Sequence, residues 1–132
     1  MNKFKIINSE KAPKAIGPYS QGIIPVKPGI PVYLSGQLGI DPKTGELASD
    51  EINGQTEQVF KNIRAVLEAG GLALDDITRC EVLLDNMEDY IPMNEIYAKE
   101  FGKHKPARAA YAAKKLPKGA MIEIVATAWK EN

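Results

Sequence analysis

The chain is short of the residues from which many active sites are built. It carries 1 cysteine, Cys80, and 1 histidine, His104, among 132 residues. A lone cysteine cannot close an intrachain disulfide, which excludes a disulfide-stapled secreted domain. A zinc site made of histidines and cysteines lacks ligands, and the HExxH, CxxC and GxxxxGK[ST] patterns are all absent. No run approaches the ~18 apolar residues of a membrane span. The first residues, MNKFKIINSEKAPKAIG, lack the continuous apolar core of a signal peptide. Net charge is missing too: Lys+Arg is 17 and Asp+Glu is 17. Nothing therefore draws the whole molecule to nucleic acid or to an anionic membrane. A local patch could still bind either, and a soluble cytoplasmic protein is expected.

The two scarce residues are poor catalysts where they stand. A Ser-His-Asp or Cys-His device would have to use His104, which sits in the charged stretch Lys103-His104-Lys105 and reads as a solvated loop histidine. Cys80 lies in a run of β-formers and reads as a small core residue. Gly36-Gln37-Leu38-Gly39 has the wrong spacing for a dinucleotide fingerprint.

The length fits one domain over residues 1–132, enough to bury roughly two thirds of the unfolded chain's surface. Phe4–Ile7 is β-prone. GIIPV and PVYLSGQLG are strands split by Lys27-Pro28-Gly29, a hairpin turn signal. From about Asp50 to Ala69 the period becomes helical, with Val59, Ile63, Val66 and Leu67 on one stripe and Gly70-Gly71 as the stop. Ile77–Leu84 reads as a strand. Asp89 is a fitting N-cap for a second helix with Met93, Ile96, Tyr97 and Phe101 on its buried face. Two last strands, Ala107–Ala113 and Ala120–Trp129, read as a hairpin around Leu116-Pro117-Lys118-Gly119. The order β-β-β-α-β-α-β-β predicts an α+β fold: one mainly antiparallel sheet with two helices on one face.

The last strand also predicts an oligomer. Ile122, Ile124, Ala126 and Ala128 suit a face under the helices, but Met121, Val125, Thr127 and Trp129 make the opposite face too apolar for water. A partner, most simply a second copy of the chain, should cover it.

Two charges stand in this apolar hairpin, Arg108 and Glu123. Buried charges need partners. A hairpin centred near Pro117-Lys118 offsets them by four or five residues, about 15 Å at ~3.4 Å per residue, which argues against their pairing within one chain. The residues alone leave Arg108 evenly between an internal ion pair and a ligand. Tyr19, in Ala15–Gln21, reads by itself as a half-buried tyrosine. Asn94 reads as a decoration of the second helix, and Ser35-Gly36 as a strand end where glycine permits close approach.

Taken together, AIGPYSQG at 15–22, SGQLGIDPKTGEL at 35–47, EAGGLALDDI at 68–77, NEIYAKEFG at 94–102 and PAR…LPKGAMIEI at 106–124 closely resemble the RidA (reactive intermediate deaminase A, YjgF-type) family along essentially the whole chain. The resemblance implies a chorismate-mutase-like fold, a homotrimer with ligand clefts between subunits, and no cofactor or metal. It implies hydrolysis of 2-imino acids and their enamines, such as 2-aminoacrylate/2-iminopropanoate and 2-iminobutanoate, to 2-keto acids and ammonia. Carried over, Arg108 clamps the substrate carboxylate, Glu123 positions or activates water, and Tyr19 hydrogen-bonds in the cleft. Ser35 and Gly36 offer backbone donors, and Asn94 lines the pocket. Many catalytic members have a cysteine two residues after the arginine; Ala110 stands there instead, so no thiol step is possible at that position and only its backbone can serve. The Tyr97–Pro106 connection looks shorter than in some members. Two other readings accompany the resemblance: a non-catalytic ligand-binding regulatory module, and an endoribonuclease-type translation inhibitor. The retention of both Arg108 and Glu123 favours the enzyme, and zero net charge gives RNA binding little support.

Overall fold

A computed structural model describes residues 2–132. Its strands are β1 (Phe4–Ile7), β2 (Gly22–Pro25), β3 (Gly29–Tyr33), β4 (Gln37–Leu38), β5 (Ile77–Leu84), β6 (Ala107–Ala112) and β7 (Ile122–Glu131). Its helices are α1 (Ile52–Ala69) and α2 (Tyr90–Phe101), both packed on one face of the main sheet. The fold is α+β, as the order of elements predicted. No helix among the described residues is long and apolar enough to cross a membrane.

The strand pairing departs from the sequence reading in two places. β2 and β3 do not form a hairpin across Lys27-Pro28-Gly29: β2 turns back onto β1 in a separate two-stranded sheet, and β3 pairs with β7. Nor do β6 and β7 form a hairpin. The main sheet runs β3-β7-β5-β6, with β4 extending along β7, so β5 lies between them. The cause is α2. A helix between two strands returns the chain to the end where it started, so β6 enters parallel to β5. Residues 113–121 then wrap the end of β5: Ala113 N–H donates to Leu84 O at 2.8 Å, and Asp85 N–H donates to Met121 O at 3.0 Å. The Leu-Pro-Lys-Gly segment is a step over a strand end.

One contiguous core lies between helices and sheet. Val59, Phe60, Ile63 and Leu67 of α1 and Met93, Tyr97 and Phe101 of α2 cover Cys80, Val82 and Leu84 of β5 and Ile122, Ile124, Ala126 and Ala128 of β7. Each large apolar side chain buried there contributes about 1.5–3 kcal/mol. The α1 stripe is rotated slightly from its expected position: Phe60 is buried, whereas Val66 is 42% exposed. Asp89 precedes α2 but makes no side-chain cap. Asn86 does that work one turn earlier, accepting from Glu88 N–H at 2.9 Å. His104 is no solvated loop residue. Its Nε2 is 2.7 Å from Ile77 O and its ring stacks on Phe4.

Two side chains fix the segment that leads from β3 into β4. Asn62 Nδ2 donates to Leu38 O and to Ile40 O, each at 2.9 Å, tying β4 to α1. Buried Gln55 donates to Ser49 O and accepts from Met121 N–H, joining the start of α1 to the start of β7. The far, open face of the sheet carries Tyr33, Leu83, Tyr111, Glu123, Val125, Thr127 and Trp129, all half-buried or exposed.

Candidate functional site

Strand register decides what Arg108 and Glu123 can do together. Arg108 is level with Cys80, which is level with Ala126. Those are core-face positions, so Arg108 projects to the helix side. Glu123 is level with Leu83, which is level with Tyr111, and its neighbours Ile122 and Ile124 are buried in the core. Side chains alternate along a strand, so Glu123 projects to the open face. Two inter-strand spacings of ~4.8 Å and three residues of ~3.3 Å put their backbones about 14 Å apart. The separation expected from the sequence holds, but its reason is different: the two charges stand on opposite faces of one sheet, with a strand between them.

On the helix side Arg108 is held without being neutralised. Its Nη1 donates to Asn94 Oδ1 at 2.6 Å, and its Nη2 donates to Tyr90 Oη at 3.0 Å. Tyr90 and Asn94 are one helical turn apart, so the start of α2 offers both acceptors from one face. The guanidinium carbon lies 4.8 Å from the ring centre of Tyr97, 5.3 Å from that of Tyr19 and 5.7 Å from that of Tyr90, distances at which aromatic faces attract a cation. No carboxylate pairs with Arg108 among the described residues. A half-buried, fully charged arginine tethered only by neutral oxygens is a ready anion binder.

β6 is the outer strand of the sheet, and the direction of its backbone groups follows from the Ala113–Leu84 bond. Alternate residues of a parallel ladder turn to the same neighbour, so residues 109 and 111 bond inward like 113. Arg108, Ala110 and Ala112 turn their N–H and C=O groups to the free edge. Pro106 O, in the same phase, accepts from Ser20 N–H at 3.3 Å, and Ser20 Oγ donates to Lys105 O at 2.6 Å. These bonds run residues 17–20 along the edge and deliver the Tyr19 ring to Arg108. Ala110 packs against the core rim on the same face as Arg108, and its N–H turns to the free edge.

Glu123 has a different neighbour. Gly36 lies against its carboxylate so closely that a Cβ at position 36 would overlap Glu123 Oε2 and sit 2.8 Å from its Cδ. Glycine is required here for space: any side chain would move the carboxylate. Ser35 is exposed one residue before. Glu123 makes no hydrogen bond to a side chain or ion pair among the described residues.

The seven residues singled out in the sequence thus fall into two groups within one protomer. Arg108, Tyr19, Asn94 and Ala110 meet at the edge of β6; Ser35, Gly36 and Glu123 meet on the open face. Tyr90 and Tyr97 belong to the first group and were not singled out, although their spacing from Asn94 on one helix face was a readable signal. Beneath them Cys80 is 1% exposed, and burial pushes its thiol up to about 12, which leaves it protonated and inert at neutral pH. The Tyr97 hydroxyl, buried beside that thiol, has no nitrogen or oxygen partner, and burial pushes its pKa up as well. Among the described residues no group of three or more His, Cys, Asp or Glu side chains could hold a metal ion. A separate cavity of about 570 Å³, lined by Lys3, Phe4, Phe101, Lys103, His104 and Lys105, contains none of the seven.

Comparison with known proteins gives one consistent family. The model of the family described as Endoribonuclease L-PSP matches residues 9–130. A RutC family protein of Pyrococcus horikoshii is 50% identical over 127 residues, covering 96% of this chain and 98% of that protein. The human protein named 2-iminobutanoate/2-iminopropanoate deaminase is 41% identical over 124 residues, covering 94% of this chain and 88% of its own. The crystal structure of RidA from an Antarctic Psychrobacter superposes with a TM-score of 0.74 at 42% identity, over 96% of this chain and 99% of the other.

Proposed function

We propose, from the premise that this chain belongs to the Endoribonuclease L-PSP family and to its RidA-type members, that it hydrolyses reactive 2-imino acids and their enamine tautomers to 2-keto acids and ammonia. The observation that carries the reading is the state of Arg108. It is a cation fixed by neutral acceptors on the outer strand of the sheet, whose alternate N–H groups face a free edge. A carboxylate fits that arrangement through the guanidinium and the N–H of Ala110, each charge-assisted bond being worth about 1.5–3 kcal/mol.

Glu123 supplies the other half from a second copy. One chain cannot turn both groups to one ligand, whereas the apolar open face gives a reason for copies to associate with Glu123 and Gly36 at the seam. We take the assembly to be a homotrimer with a cleft at each junction. In that cleft the carboxylate of the imino acid lies on Arg108, with the Tyr19 hydroxyl and the Ser35-Gly36 backbone as further contacts. Glu123 takes a proton from water as its oxygen attacks the C=N carbon. Glu123 passes that proton to the nitrogen and, as the C–N bond breaks, takes the remaining hydroxyl proton, so that the carbonyl forms and ammonia leaves. A protonated imine is already electrophilic, so placement and one base serve without a covalent nucleophile, and alanine at position 110 is compatible with that.

The test generates 2-iminobutanoate in situ with a threonine dehydratase and follows its decay. Added protein should accelerate decay, and Arg108→Ala should not. No acceleration by the wild type, or equal acceleration by Arg108→Ala, would overturn the reading.

A further inference from the structure

The two acceptors that hold Arg108 differ in what they leave unspent. Asn94 gives an amide oxygen, which has nothing to donate. Tyr90 gives a hydroxyl, which accepts from Arg108 Nη2 through a lone pair and keeps its own hydrogen. No acceptor for that hydrogen lies within reach among the described residues. Tyr90 is half-buried at the first turn of α2, its hydroxyl 3.0 Å from the guanidinium of Arg108 on β6. The two side-chain oxygens that touch Arg108 are thus committed to it, and the Tyr90 O–H and the remaining guanidinium hydrogens are left to donate.

We propose that Tyr90 is a second ligand-binding residue, donating its hydroxyl hydrogen to the substrate carboxylate while holding Arg108 in place, and that this added donor sharpens the preference for a carboxylate over a carboxamide. The proposal rests on the carboxylate-clamp reading of Arg108 given above. A deprotonated carboxylate accepts at both oxygens. A carboxamide offers one neutral oxygen in place of two charged ones, so it gains less from the same guanidinium and hydroxyl donors. The Tyr90 ring serves a different end, lying against the guanidinium face, and phenylalanine would keep it.

The test is Tyr90→Phe, which preserves ring and packing and removes only the oxygen. For imine hydrolysis KM should rise about tenfold, with kcat changed far less, because a contact to the non-reacting carboxylate is lost equally from ground state and transition state. The Kd of 2-oxobutanoate, measured by calorimetry, should rise by a similar factor while that of 2-oxobutanamide barely moves, so the carboxylate preference shrinks. A Tyr90→Phe protein with unchanged KM and an unchanged ratio of the two Kd values overturns the proposal, as does a wild type that binds 2-oxobutanoate no better than the amide. The deaminase reading fails separately: if wild type binds the keto acid, loses about tenfold in Tyr90→Phe, and still does not speed imine decay, the donor role of Tyr90 stands and the activity does not.

Discussion

The opposite-face placement of Arg108 and Glu123 makes a sharp test of a shared site. In the proposed reaction Arg108 clamps the carboxylate and Glu123 is the base, so Arg108→Ala and Glu123→Gln should each be nearly inactive alone. General-base catalysis commonly contributes ~10²–10⁴-fold, so residual activity below about 1% is expected for Glu123→Gln. Glu123 stands on the open face, and Arg108 is half-buried at the sheet edge with only its guanidinium against the core ring of Tyr97, so both variants should fold. When the two variants are co-expressed, they should assemble together. A cleft that takes Arg108 from one copy and Glu123 from the next is intact when the first copy is the Glu123→Gln chain and the second the Arg108→Ala chain. With equal amounts and random assembly, each condition holds half the time, so about a quarter of the clefts are whole. If one chain supplied both groups to one cleft, every cleft would carry a lesion and mixing would restore nothing. The assay is imine hydrolysis by the mixed protein, with mixed oligomers verified by native mass spectrometry. Mixed oligomers with no more activity than the separate variants would refute the placement of the two groups in one shared site.

Four further outcomes follow from the same coordinates. Gly36→Ala should leave thermal stability nearly unchanged, because the atoms nearest to the added methyl all belong to the flexible, half-buried side chain of Glu123. Displacing that carboxylate by about 1 Å should cost on the order of 10²-fold in kcat. Asn94→Asp should put an anion where the amide oxygen accepts from Arg108, raising thermal stability while weakening 2-oxobutanoate binding at least about tenfold; a gain or loss in both together would contradict the view of Arg108 as an uncompensated cation. Cys80, inside the core with its thiol pushed up to about 12 by burial, should resist a thiol reagent at pH 8 until the protein is unfolded. Lys3 is raised above 10.5, first by its hydrogen bond to Asp76. Its contribution to stability should be complete below that value and disappear as pH rises through the higher folded-state pKa; the difference in melting temperature between wild type and Lys3→Met should shrink over that range.

What could be read from the sequence divides along the range of the interactions involved. Both helices and most of the core were legible because Val59, Ile63 and Leu67, or Met93, Tyr97 and Phe101, repeat within a few residues and state their own periodicity. Strand order was not legible. Nothing local in Ala107–Ala112 says that its neighbour is β5, thirty residues earlier, rather than β7 just ahead. The Leu-Pro-Lys-Gly segment carries turn chemistry in either arrangement, because stepping over a strand end needs the same bend as a hairpin. Lys118 adopts φ 58° there, a conformation usual for turns of many kinds.

The site was partly legible for a related reason. Alternation along one strand can be read from residue types, so the apolar parity of Ile122, Ile124 and Ala126 already put Glu123 on the other face of β7. The parity of Arg108 could not be read so, because Ala107, Ala109 and Ala110 are small on both sides and give no sense of inside. Only the rung joining Arg108 to Cys80 decides it. Once that rung is known, much else follows from geometry. The helix crossing above must offer Arg108 its partners, and the positions one turn apart that face β6 are Tyr90 and Asn94, both neutral. Had either been acidic, the arginine would be a structural ion pair and the site would have no purpose for its charge. The functional information therefore lies less in the arginine than in the uncharged oxygens chosen to hold it.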